Sequence, residues 1–203
     1  MTDNKMRTEI LNIDKGQCLT DVLPAIPANT IFDKTITGCG ATHSEIVNAA
    51  RHSIIIEPNI PVILGKKAEH PFLFAVYEGI TKEDVKAYLA GEHDGYRKII
   101  TTPEGFDKKV LPAMHELEIP VYKDYFLLFD ECEKAIQDVG YRGDIYLPVE
   151  DFFKFENKAM VSATPIVPSD PRFEENGFKI LKLVPTYDSR IELTLCTTNN
   201  KIG

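Results

Sequence analysis

Two adjacent acids, Asp130 and Glu131, close an unbroken apolar run, Tyr125-Phe126-Leu127-Leu128-Phe129. A strand buried on both faces of a parallel sheet reads this way, and its C-terminal end is where such a sheet presents groups to a ligand. Two carboxylates there are expensive to desolvate unless they are paired or in use. The alternative is an exposed acidic turn after a strand. A second group, Thr37-Gly38-Cys39-Gly40-Ala41-Thr42, is a Gly-rich turn between an extended segment and a helix-compatible one. Backbone N–H groups in such a turn can cradle phosphate, although the same glycines suit a strand-to-helix turn with no ligand. A third group, Ser162-Ala163-Thr164-Pro165, follows a short apolar stretch about thirty residues after the acids.

The elements that must carry these groups alternate. Residues 30–34 are short and β-compatible, and 44–50 have helical character with Ile46, Ala49 and Ala50 at core-face spacing. Strands are expected at 53–56, 72–77, 99–102, 125–129, 159–162 and 178–184. Thr81 with Asp84 opens a helix reaching about Leu89, and 107–116 read as helical with a bend or break at Pro112. Shorter helices are expected at 133–139 and 149–155, while 1–17 form a frayed end or a short edge strand. Strands separated by helices predict one parallel sheet with right-handed crossovers, and 203 residues suffice for one substantial core. No internal repeat or low-complexity tract interrupts this pattern.

Composition narrows the function classes. No apolar stretch approaches the roughly 20 residues of a membrane helix, and the polar start, 1–7, leads into no signal-like core. Cysteines at 18, 39, 132 and 196 lack metal-ligand spacing and read as reduced thiols of a cytoplasmic protein. The five histidines show no metal pattern. A net charge of −8 argues against a broadly basic surface, leaving Lys66-Lys67 and Lys108-Lys109 as local candidates or as solvated loop charges.

Taken in order, the three groups resemble the first RecA-like domain of superfamily-two (DExD/H-type) helicases, over about Leu23 to about Asn200. The resemblance implies an α/β fold, a three-layer RecA-like P-loop NTPase with a mainly parallel central sheet. It implies an N-terminal extension over 1–22, the RecA-like domain over 23–185, and a connector-like tail over 186–203 with the second RecA-like domain absent.

By the same resemblance Thr37, Gly38, Cys39, Gly40, Ala41 and Thr42 form the nucleotide loop, Thr42 supplying the magnesium-binding hydroxyl. Asp130 is the metal-organising acid and Glu131 the acid that activates water. Ser162 and Thr164 couple this site to a nucleic-acid groove lined by Pro58, Asn59, Thr102 and Pro103. ATP and Mg²⁺ are the implied cofactors. DNA or RNA is the implied partner, together with a second RecA-like domain or a partner protein, and no membrane.

The family's loop carries a lysine where this chain has Ala41. That ammonium normally neutralises phosphate charge. Weak or absent hydrolysis by the isolated domain follows, or a catalytically dead module that binds a partner. Lys34, four residues before Gly38, either folds over the loop or ends its strand as a solvated charge. His43 is read as an exposed helix-start residue beside the turn or a phosphate contact. The pair Tyr141-Arg142 is read as a surface anchor or a partner contact.

Overall fold

Apolar residues in the central strands are consecutive rather than alternating, so each strand has core on both sides. In the computed structural model, which describes residues 6–36, 38–132, 149–164, 168 and 170–188, two apolar clusters occupy the two faces of one sheet. Ile54, Ile56, Leu127 and Phe129 face one cluster, and Ile55, Phe126 and Leu128 the other, as the period of two requires.

The strands are β1 (Thr8–Ile13), β2 (Thr30–Asp33), β3 (His52–Ile56), β4 (Phe74–Val76), β5 (Lys98–Thr101), β6 (Tyr125–Phe129), β7 (Asn157–Ser162) and β8 (Lys179–Pro185). They form an eight-stranded sheet in the order β1-β8-β2-β7-β6-β3-β5-β4, with every pairing parallel. The fold is therefore α/β, a parallel sheet flanked by helices and consistent with a three-layer RecA-like fold. Residues 8–13 lie within the segment expected as an extension, yet they pair with β8 and complete the sheet edge.

Consecutive strands β2 and β3 are separated in space by β7 and β6. From the end of β2 the chain crosses to β3, whereas from the end of its neighbour β7 it crosses back over β2 to β8, so the two neighbours leave in opposite directions across the sheet. Open α/β sheets bind ligands at the carboxyl ends of strands beside such a switch point. Registers align Asp33 with Ser162, Phe129 with Met160, and Ile56 with Phe129. The residues that follow β2, β6 and β3 therefore leave the sheet at nearly one level.

The helices differ from the sequence reading in places. Among them, α1 (Leu19–Val22) precedes β2, and α2 (Ala41–Val47) follows the Gly-rich turn. The latter ends at Asn48, which leaves Ala49 and Ala50 exposed rather than on its core face. A helix absent from the sequence reading, α3 (Ile60–Glu69), starts directly after Asn59 with Pro61 in its first turn. Proline is tolerated there because the first N–H groups have no intrahelical partner. The expected helix at Thr81 is α4 (Lys82–Ala90), where the Thr81 hydroxyl accepts from the Asp84 N–H.

Near Pro112 the chain runs through α5 (Pro103–Gly105), a π-helical stretch (Phe106–Val110) and α6 (Leu111–Glu116). The Leu111 N–H reaches back to Phe106 O, a widened turn that relieves the clash a proline ring makes in a regular helix. The expected helix at 133–139 and the pair Tyr141-Arg142 lie outside the described residues. No helix among the described residues is long and apolar enough to cross a membrane.

A buried polar cluster fixes α2 against the sheet. Glu45 and Ser53 are fully buried and Lys98 nearly so; Lys98 Nζ lies 2.8 Å from Ser53 Oγ and 3.7 Å from Glu45. Arg51 Nε donates to Glu45 at 3.0 Å while its guanidinium lies 3.4 Å above the Phe126 ring. Burial pulls Lys98 down to about 8, against the opposing pull of Glu45. Removing one member of a buried ion pair strands its partner, which costs about 3–5 kcal/mol. Glu45→Ala is accordingly expected to lower unfolding free energy by that order, read from the shift of its urea midpoint.

Candidate functional site at the carboxyl edge of the sheet

Four carboxylates follow or end strands at the same edge of the sheet: Asp33, Glu57, Asp130 and Glu131. Parallel pairing is what collects them, since all strands end on one side. Asp33, Glu57 and Asp130 are each no more than 2% exposed. Each has polar partners, as buried charge requires.

Lys34 is the central one. It was expected either over the loop or as a solvated strand-end charge, and the structure overturns the second alternative, because the residue is only 8% exposed. Its backbone N–H donates to Ser162 O at 2.9 Å, which pins the end of β2 to the end of β7. From there the side chain crosses above β7, and Nζ lies 3.2 Å from Asp130 and 2.7 Å from Glu131. Burial works against the ammonium, but Asp130 and Glu131 outweigh it, so Lys34 is held protonated well above the usual lysine range.

The Gly-rich turn reaches the same acids from the other side. Gly38 and Gly40 adopt φ of +75° and +88°, a left-handed conformation that most side chains avoid. Gly40 is the N-cap of α2, and Thr42 in the first turn of that helix donates its hydroxyl to the Asp130 carboxylate. Cys39 is buried, its O accepts from Leu19 N–H at 3.1 Å, and burial pushes its thiol up. Ala41 is buried in the apolar cluster beneath. Thr37 lies outside the described residues.

The acid turn is itself constrained. Asp130 N–H donates to Ile56 O at 2.9 Å, tying the acids to β3, and Glu131 takes a φ of +49°. Glu57, which sequence reasoning passed over, follows β3 at this level and accepts from Asn59 N–H and Nδ2, both at 2.8 Å. Burial pushes its carboxyl up to about 7, and the charges of Asp130 and Glu131 add to that shift while Asn59 opposes it. The sequence carried one signal for it, an acid directly after an apolar strand.

The other expected residues fall into quieter positions. Ser162 is buried at the end of β7, and its hydroxyl engages Thr164, accepting from the backbone N–H at 2.9 Å and lying 2.8 Å from the carbonyl. The pair thus forms a local turn whose backbone, through Lys34, touches the site. Asn59 is the N-cap of α3, and Pro58 beside it is half-buried. Thr102 caps α5 by accepting from Gly105 N–H at 3.0 Å, and Pro103 is buried. These are helix-start roles.

Lys66 pairs with Glu69, Lys108 with Glu104, and Lys67 and Lys109 donate to backbone carbonyls. His43 is exposed on α2 and meets His70 with ring nitrogens 3.2 Å apart.

Among the described residues no three His, Cys, Asp or Glu side chains are grouped to hold a metal ion by themselves. The cluster at the edge is a hydroxyl, two carboxylates and one ammonium, a set able to take an oxyanion and a hard cation together. Compared with known proteins, the chain matches no family model and no curated protein sequence.

Glu57 makes a measurable prediction. Its folded pKa lies above its unfolded value, so between about 4.5 and 7 the unfolded state binds fewer protons at this group and stability falls as pH rises. Relative to Glu57→Gln, the wild-type chain should lose on the order of 3 kcal/mol across that window, an upper figure for a shift of this size. Urea unfolding of both proteins at pH 5 and pH 8 checks it; parallel stability curves would refute it.

Proposed function

We propose that the chain is a helicase-like ATP-binding domain related to nucleic-acid remodelling, weak or inactive in ATP hydrolysis by itself. The observation that carries this reading is the hydrogen bond from Thr42 to Asp130. It joins the Gly-rich turn after β2 to the acids after β6, two strands apart in the sheet. A hydroxyl and a carboxylate meeting there are hard oxygen donors of the kind Mg²⁺ takes, and Mg²⁺ is normally held by one or two carboxylates together with substrate phosphates. The donor set fits the ion as a companion of a nucleotide: Thr42 and Asp130 would hold it, and it would neutralise charge on the phosphates.

What the chain's own residues do follows from their positions. Backbone N–H groups of the turn at Gly38 and Gly40 would receive phosphate oxygens. Glu131 stands beside Asp130 at the edge, where it would orient a water molecule. The adjoining strand ends at Asn59 and Thr102 are the places where DNA or RNA would lie, by the resemblance described above. In that family a second RecA-like domain completes the ATP site with arginines, which is one reason to expect slow turnover by these 203 residues assayed by themselves. The second reason is Ala41.

Ala41 also favours a second reading, a catalytically dead helicase-like module that binds a protein or nucleic-acid partner. Its side chain is packed in the core and offers no charge to phosphate.

Titration of the 203-residue chain with ATP and Mg²⁺, followed by amide NMR, separates the two. The ATP-binding reading expects shifts gathered at Gly38, Gly40, Thr42 and Asp130, with an affinity around millimolar, or about 4 kcal/mol. Phosphate release should stay near background with or without nucleic acid. Those amides standing still at several-millimolar ATP would leave only the partner-binding module.

A further inference from the structure

We infer that Lys34 is the phosphate-binding cation of this site, delivered from the end of β2 instead of from the Gly-rich turn; the inference rests on the nucleotide-site reading above. A polyphosphate placed against Gly38, Gly40 and Thr42 brings several negative charges beside Asp130 and Glu131. Without a cation between them, the two sets of charge repel at close range in a poorly solvated place. The turn cannot supply that cation, because position 41 is an alanine packed in the core.

Lys34 already stands where the cation is needed. Its ammonium bridges Asp130 and Glu131, Thr42 holds the other side of Asp130, and the charge also reaches the Cys39 thiol within the turn. It therefore stands on the same carboxylate, Asp130, that Thr42 of the turn engages. An ammonium has three donors. Two meet the carboxylates, and the third would reach a phosphate oxygen.

The other lysines discussed above are engaged elsewhere. Lys182 lies 3.8 Å from Asp33, Lys98 is buried beneath α2, and Lys66, Lys67, Lys108 and Lys109 have their own local partners. The rival account gives Lys34 the single task of neutralising two acids. That account leaves a lysine-free turn facing the acids with nothing to offset incoming phosphate.

Backbone anchoring explains why the lysine can act from outside the turn. The Lys34 N–H is fixed to Ser162 O, so the long side chain starts from a rigid point and reaches across one strand. Carboxylates and phosphate then share one ammonium. Phosphate binding should draw Lys34 partly away from Glu131, the more exposed of its two acids.

The test uses the full chain with ATP and, separately, inorganic tripolyphosphate, each titrated by calorimetry into wild type, Lys34→Met and Lys34→Arg. Loss of a charge-assisted hydrogen bond predicts an affinity for both ligands lowered about tenfold to a hundredfold in Lys34→Met. Lys34→Arg should retain most of the affinity. Wild type that binds neither ligand defeats the nucleotide reading and this inference with it. Wild type that binds while Lys34→Met binds equally well defeats only the inference. Should Lys34→Met not fold, side-chain NMR of the ¹⁵N-lysine-labelled wild type decides the matter. The Lys34 signal must move on saturation with tripolyphosphate, and a stationary signal overturns the assignment.

Discussion

An all-parallel sheet sends every strand end to the same side, and here that side gathers negative charge. Asp33, Glu57, Asp130 and Glu131 all arrive at it, three of them almost without solvent contact. The structure can hold this concentration only because positive charge and hydrogen-bond donors meet it there. Lys34 supplies the main compensation by pairing with two acids from a distant strand, and Lys182 approaches Asp33. The two N–H donors of Asn59 serve Glu57, and the Thr42 hydroxyl adds a second donor to Asp130. Buried charge of this kind is weak evidence for stability, since an apolar core of equal volume is often as good. Its concentration at the switch point of the sheet is the reason to propose the edge as a site.

The same edge is connected to the rest of the molecule by short, direct links. The end of β2 is held to β7 through Lys34 and Ser162, and the acid turn to β3 through Asp130 and Ile56. Glu57 accepts from Asn59, so the cap of α3 is joined to the acid cluster by one buried carboxylate. On the opposite end of α2, Glu45 anchors the helix that carries Thr42. Thr42 is thus positioned by two polar attachments, one at each end of a short helix. A change of charge at Asp130 would be felt at Glu57 and at the start of α3 without any long chain of contacts.

Ala41 and Lys34 are where this edge departs from the helicase reading proposed for it. One position puts an uncharged side chain in the core, and another, seven residues earlier in the sequence, carries a charge into the acids. A lysine on a strand end starts from a firmer backbone than one on a turn. Its ammonium meets both acids at hydrogen-bond distance.

The sequence by itself determined the elements and their edge. Consecutive apolar residues in β3, β5 and β6 required strands buried on both faces, and the acids after Phe129 marked the carboxyl end. The Thr81 cap was legible because it depends on residues three apart. So were the two glycines before Thr42, whose positive φ is a local demand. Helix α3 escaped the reading because Pro58 and Pro61 look like breakers until one of them is seen in a first turn. The end of α2 at Asn48 escaped because helical spacing continues past it in the sequence. Only the tertiary structure placed Lys34 on Asp130, a partner 96 residues away, since that contact depends on strand order and register across β7. It alone buried Glu57 beside the acids and turned Ser162 toward Thr164. Periodicity and caps are properties of neighbours along the chain. Which charges meet at a sheet edge is decided by pairings between segments far apart in it.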